Sequence, residues 1–239
     1  MNPPVQSTKA LQEKLTQLGS FCVDSAGSRR PRILVLNASL AGDAGNSAAV
    51  LYHVASLLAV DAEVARHTLA TAPGFSAVRE ALAQADALVI GTGTHWDSWS
   101  SHLQSFLEEA TPAEGTSLWL GKPAACVVTE HSVGGKGVLS RLQGVLVTLG
   151  CSIPPMSGLV LSLAAQTAAH TGPLTTSSDA GATDTVADDD ATHDFWCAED
   201  LAVVAHNLLA AAAPLRLTPP NWKTWPVDRT GFDQRWIRL

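Results

Sequence analysis

The sequence is short of charge, of long apolar runs and of most aromatics, and each shortage excludes something. Charged residues are 15% of the 239 positions and apolar residues 46%, a balance that builds a folded core and argues against a disordered chain. Lys and Arg total 15 against 22 Asp and Glu, so the formal charge of −7 argues against general affinity for nucleic acid or anionic membrane. No apolar stretch approaches the ~20 residues of a membrane span, and MNPPVQSTKALQEKLTQLGSF lacks the apolar centre of a secretory signal. SRRPR at Ser28–Arg32 carries the twin arginines of an export signal, but ILVLNASLAGDAGNS turns polar too soon to follow one. Cys22, Cys126, Cys151 and Cys197 form no C-x-x-C pair and no zinc-ligand spacing. They read as reduced thiols in a cytoplasmic protein, with no metal site expected.

What is present is rhythm. RILVLNAS, AEVARHTL, DALVIGTGT, KPAACVVTE and SIPPMSGLVLS are short extended runs. Between and after them stand helical patterns: NSAAVLYHVASLLA, FSAVREALAQA, SSHLQSFLEEA, GKGVLSRLQGVLVTLG and DFWCAEDLAVVAHNLLAAAA. Alternation of this kind predicts a parallel sheet covered by helices on both faces, a doubly wound three-layer sandwich. Gly150 is placed to close the fourth helix, and Asn46 or Ser47 to cap the first. Residues 1–31 read as an extension with one amphipathic helix, 32–213 as the domain, and 214–239 as a tail. Within the domain, residues 170–192 read as an acidic mobile loop.

A doubly wound sheet binds ligands beyond the carboxyl ends of its strands. NASLAGDAGNS, GTHWDSWS and TEHSVGGKG must therefore lie together, and all three are polar loops fed by apolar strands. The first has small residues ahead of a helix N-terminus, a natural phosphate cradle, although it has neither a dinucleotide fingerprint nor a Walker loop. GTSLWLGKP has one residue too many for a Walker loop and ends in proline. EHSVG, Glu130–Gly134, is one residue from the G-x-S-x-G elbow of serine hydrolases, so a hydrolase built on Ser132, with Asp188–Asp190 and His193 or His206, is a rival reading.

Together the three loops resemble the flavodoxin-like FMN reductases and NAD(P)H:quinone oxidoreductases, over about Arg32–Leu163. ILVLNASLAGDAGNS is similar to that family's first strand and phosphate loop, and GTGTHWDSWSSHLQSFLEEAT to its ring-contacting turn and helix. The resemblance implies a flavodoxin-like sandwich with a five-stranded parallel sheet. It also implies FMN as cofactor, NADPH or NADH as co-substrate, and a small acceptor such as a quinone; a flavodoxin-type electron carrier is the nearer alternative. Carried over by position, Ser39, Gly45, Asn46 and Ser47 would hold the phosphate, and Thr94, His95, Trp96 and Asp97 would line the ring edge. Thr129, Glu130, His131 and Gly134 would close the other side, with His131 as the group that polarises an acceptor oxygen. Trp96 or Trp99 has the shape to pack on the ring. The chain departs from the family pattern at Gly93, where proline is common, and at Leu40 and Asp43, where an arginine is frequent. Asp97 stands where glycine is often found.

The tail RLTPPNWKTWPVDRTGFDQRWIRL holds three tryptophans and five basic residues, counting Arg216. That much apolar surface is costly to leave in water at roughly 25 cal/mol per Å². The expectation is a homodimer or homotetramer in which residues 218–239 reach across a subunit boundary.

Overall fold

The computed structural model describes residues 29–171, 196–217 and 220–227. The N-terminal helix, the acidic segment, and Phe232, Trp236 and Ile237 of the tail lie outside the described residues. Five strands, β1 (Arg32–Asn37), β2 (Glu63–Thr68), β3 (Ala87–Gly93), β4 (Ala124–Glu130) and β5 (Gly158–Ser162), pair in the order β2-β1-β3-β4-β5, every pair parallel. The order reverses between β1 and β3, and that is where a crevice opens in such a sheet.

The strands read as continuous apolar runs because both faces of the sheet are covered. Ile33, Val35, Val89, Val127 and Leu159 face α1 (Asn46–Leu58) and α6 (Leu201–Leu217), meeting Leu51, Val54, Val204 and Leu208. Leu34, Leu36, Leu88, Ile90, Cys126 and Val128 face the other layer, α2 (Phe75–Gln84), α3 (Ser101–Ala110) and α4 (Gly135–Leu149). Trp119 is fully buried in that layer, its ring 6.1 Å from Phe75 and 6.2 Å from Phe106. β2 is mostly polar and half exposed because it is an edge strand, which is why its pattern is the faintest in the sequence.

Three boundaries differ from the sequence reading. Leu163–Thr171 forms a further helix, α5, directly on the end of β5, where no helix had been expected. The last helix begins at Leu201 instead of Asp194, because the Asp200 carboxylate takes the Cys197 backbone N–H at 2.9 Å and holds Ala198–Asp200 as a 3-10 turn. It also runs through Pro214, which has no N–H to give the Ala210 carbonyl. α1 is capped by Gly45 and not by the side chain of Asn46 or Ser47; Ala48 and Ala49 donate to Gly45 O, and the Asn46 and Ser47 N–H groups are left without a side-chain cap. Gly150 does close α4, at φ 119° with its N–H on Leu146 and Val147.

The described part of the tail folds back on its own domain, at the amino end of the sheet. Trp222 lies on Gly121 and Trp225 on Gly115, close enough that a Cβ on either glycine would stand within 2.6 Å of the indole. Trp225 Nε1 donates to Glu114 at 2.9 Å. Stacking on bare backbone needs those two glycines.

Candidate active site

At the carboxyl end of the sheet the β1, β3, β4 and β5 loops enclose a cavity of about 490 Å³, within the range of small-molecule sites. Ser39, Gly45, Asn46, Ser47, Thr94, His95, Thr129, Glu130 and His131 all line it. The first four come from the β1 loop and the start of α1, the next two from the β3 loop, the last three from the end of β4. Ser47 Oγ and Thr129 Oγ1 are 2.7 Å apart, which fastens the helix start to β4.

The β1 loop is organised around Asn37. Its amide donates to Gly42 O at 3.0 Å, while its Oδ1 accepts from the Ser39 N–H at 3.1 Å and the Ser39 hydroxyl at 2.8 Å. The Ser39 proton is thus used inside the loop, as the Ser47 hydroxyl is used on Thr129, which leaves the uncapped start of α1 as the loop's source of backbone N–H donors. Asp43 turns away from the cavity: its Oδ1 accepts from Thr68 Oγ1 at 2.7 Å, so the carboxylate faces β2.

The β3 loop corrects the expected aromatic contact. His95 and Ser98 exchange backbone bonds of 2.7 and 2.9 Å, and Trp96 and Asp97 between them sit at φ 49° and 55°. Both are in the left-handed region, the geometry of a type I′ hairpin turn, which favours Asn and Gly and strains a tryptophan. The turn aims Trp96 outward: its side chain is fully exposed and lines no part of the cavity, and neither does Asp97. Trp99 packs against the α3 and α4 layer, donating to Gln104 at 2.8 Å under the guanidinium of Arg141. Arg141 also donates to Asp97 O and so braces the turn from α4. Ser100 caps α3 through the Leu103 N–H at 3.1 Å and donates to Ala38 O, tying the β3 and β1 loops together.

Gly134 lines no part of the cavity either, but it decides how the loops meet. It caps α4 at φ 96°, and a Cβ there would overlap the Asp97 carboxylate and touch Thr94. Glu130 Oε2 accepts the Gly135 N–H at 2.5 Å, a carboxylate at the positive end of α4. His131 is exposed at the rim; its carbonyl accepts from Ala164 N–H at 2.8 Å, while its ring has no hydrogen-bond partner among the described residues. Ser132 is exposed, lines no part of the cavity and bonds to no histidine among the described residues.

The sequence reading overlooked the β5 side of the cavity, where Leu161, Ser162, Leu163 and Gln166 contribute, with Ala198 before α6. LVLSLAAQ carries no turn residue and no Gly-rich signal, although a parallel sheet requires β5 to end where β4 does.

The residues present fit a flavin phosphate ester. Thr94 Oγ1 is buried without a partner among the described residues, on a residue that lines the cavity beside the uncapped helix start. A polar ligand there satisfies a hydroxyl that the protein leaves unpaired. The family model for NADPH-dependent FMN reductases matches residues 31–166. The chain belongs to that family. FMN is its cofactor and NAD(P)H its reductant, and it is an FMN-dependent oxidoreductase. Among curated proteins none matches the sequence.

Solved structures agree on the flavodoxin-like fold at low identity. RosB with bound 8-demethyl-8-formylriboflavin-5'-phosphate is 16% identical with a TM-score of 0.58, over 87% of this chain and 96% of that one. An oxidoreductase from Corynebacterium diphtheriae is 14% identical with a TM-score of 0.53, over 78% and 99%. A WrbA-like flavodoxin from Agrobacterium tumefaciens is 13% identical with a TM-score of 0.52, again over 78% and 99%. Among the described residues no helix is long and apolar enough to cross a membrane.

Proposed function

We propose that this reductase passes reducing equivalents from NAD(P)H to a quinone or a similar small uncharged acceptor. The observation that carries the reading is the cavity itself: Thr94, whose buried hydroxyl has no partner among the described residues, and an uncapped helix start border a space lined by hydroxyl, amide and imidazole side chains together with Leu40, Val50, Leu161 and Leu163. The flavin supplies the hydride-accepting and electron-donating chemistry; the protein supplies position and electrostatics. Asn46 and Ser47 bind the phosphate through backbone N–H groups, with Gly45 letting the chain approach. Thr94, His95, Thr129 and Glu130 line the ring and its side chain, and Trp96, Asp97 and Gly134 set the shape of the turn that borders it. Ser39 acts through Asn37 to hold the loop.

His131 is the acceptor-side group in this reading. Its backbone is held by α5 while its ring is open to the cavity, so an imidazole N–H can donate to an acceptor oxygen. His131→Gln should lower the acceptor-side kcat/KM by roughly tenfold with FMN affinity unchanged. Equal acceptor kinetics in the two proteins remove the histidine from the mechanism. FMN fluorescence quenched on titration into the purified protein, followed by multiple turnovers with NADPH and benzoquinone, is the test of the whole. Bound FMN that NADH and NADPH both leave oxidised would make the chain a carrier instead.

The buried, unbridged Cys126 and Cys151, whose thiols burial pushes up (Cys151 to about 12), suit a reducing cytoplasm. A homodimer or homotetramer remains our proposal for the assembly, supported by the exposed Trp96, Leu40 and Leu163 around the mouth rather than by the part of the tail that covers its own domain.

A further inference from the structure

Among the described residues the main cavity is lined by no lysine or arginine and by one carboxylate, that of Glu130. NADPH carries phosphates on its adenine half, and these call for a cation that the cavity itself does not supply. Beside the cavity lies a smaller pocket of about 250 Å³ that shares Glu130 and Ser162 with it and is completed by Lys136, Val160, Ala165 and Trp196. Lys136 Nζ stands 4.4 Å from the centroid of the Trp196 ring. Glu130 is turned to the Gly135 N–H, and Lys136 makes no ion pair among the described residues. Trp196 packs against both core layers at the β5 edge, which holds the indole still while the exposed lysine stem above it is free to move.

An anchored indole under a mobile ammonium is a receptor for an aromatic base bearing phosphate. The indole offers a stacking face, and the ammonium can swing from the ring to a phosphate oxygen without losing its favourable surroundings. The pocket shares two residues with the cavity, so a ligand whose nicotinamide lies over the flavin can extend along Glu130 and Ser162 into it. We infer that Lys136 and Trp196 form the subsite for the phosphate-bearing adenine half of the reductant. The inference rests on the flavin reading above and adds a place for the part of NADPH that does not react.

The test uses FMN-loaded wild type, Lys136→Met and Lys136→Arg. The lysine is exposed, and methionine keeps its apolar stem over the indole, so FMN titration and the thermal midpoint should match wild type in both variants. Calorimetric titration with NADP+ should show affinity about tenfold weaker in Lys136→Met and within about threefold of wild type in Lys136→Arg. In stopped-flow reduction, half-saturating NADPH should rise by the same factor in Lys136→Met with the limiting rate nearly constant. Reduction by 1-benzyl-1,4-dihydronicotinamide, the same reacting ring without phosphates, should be equal in all three proteins. Unchanged NADP+ affinity in Lys136→Met, or an equal loss with the benzyl reductant, overturns the subsite. A wild-type protein that gives no FMN titration overturns the functional reading beneath it, and that result appears before any reductant is added.

Discussion

The two ends of the sheet differ in what stands over them. At the carboxyl end the backbone is strained at Trp96 and Asp97, a buried hydroxyl goes unpaired at Thr94, and apolar side chains stand in water at Leu40, Trp96, Val133 and Leu163. At the amino end Trp222 and Trp225 cover glycine backbone, Trp225 is hydrogen-bonded to Glu114, and Lys122 reaches under the surface to the Leu82 carbonyl. One end opens into a cavity, and the other is partly covered by its own chain, with Trp222 and Trp225 still 55% and 37% exposed. Local departures occur at both ends, since Met156 at φ 50° and the unpaired Ser157 Oγ and Trp119 Nε1 precede β5 and β4, so it is the cavity beside the carboxyl-end departures that marks where binding energy is to be recovered.

If that contrast holds, substitutions at the two ends should separate stability from flavin affinity. The largest effect is expected at Gly134→Ala, where the added Cβ meets Asp97 in a left-handed conformation. FMN affinity should fall by roughly thirtyfold and stability by about 2 kcal/mol, read by fluorescence titration and urea denaturation. Equal affinity would show that the β3 and β4 loops do not need each other to hold the ring. Next, Trp222→Ala with Trp225→Ala should cost about 2 kcal/mol of stability through lost burial, with FMN affinity within twofold of wild type. Coupled loss of flavin binding would join two ends that the fold keeps apart.

Thr94→Val sharpens the comparison, because its two effects have opposite signs. Removing an unpaired buried hydroxyl should leave the apoprotein as stable or about 1 kcal/mol more stable, and should weaken FMN binding by roughly tenfold. A destabilised apoprotein would mean that the hydroxyl has a partner after all.

A further effect concerns pH at the amino end. Burial lowers the Lys122 ammonium to about 8, against 10.5 for a free lysine. Between those values the unfolded chain binds the proton and the folded one does not, so this group's contribution to stability rises with pH through that window. Relative to Lys122→Met, wild type should gain on the order of 2 kcal/mol from pH 8 to 10.5 in urea melts. Parallel pH curves for the two proteins would place the amine in solvent.

Much of this was legible in the residues. Five apolar runs separated by helical patterns are enough for a covered parallel sheet, because only burial on both faces tolerates strands such as ILVL and ALVI. The polar loops after β1, β3 and β4 pointed to the cavity for the same reason: strand ends in such a sheet share one edge. Less was legible where an element carries no local signal. The β5 wall of the cavity and α5 behind it are written in LVLSLAAQ, which has the composition of buried core, and only the pairing of β5 with β4 brings it to the ligand.

Sequence alone determined the layers, their order in the chain and which loops carry polar chemistry, since these depend on local period and on the rule that apolar faces must be covered. Direction was decided only by the tertiary structure. Trp96 points to solvent because two successive left-handed residues turn it there, Asp43 faces β2 because Thr68 is within reach, and Ser39 is spent on Asn37. Trp222 and Trp225 came to rest on their own domain because Gly121 and Gly115 leave bare backbone for an indole to cover. A side chain's type limits what it can bond to, but the neighbours that claim its hydrogen bonds and its surface come from distant parts of the chain, and no local pattern records which of them arrives first.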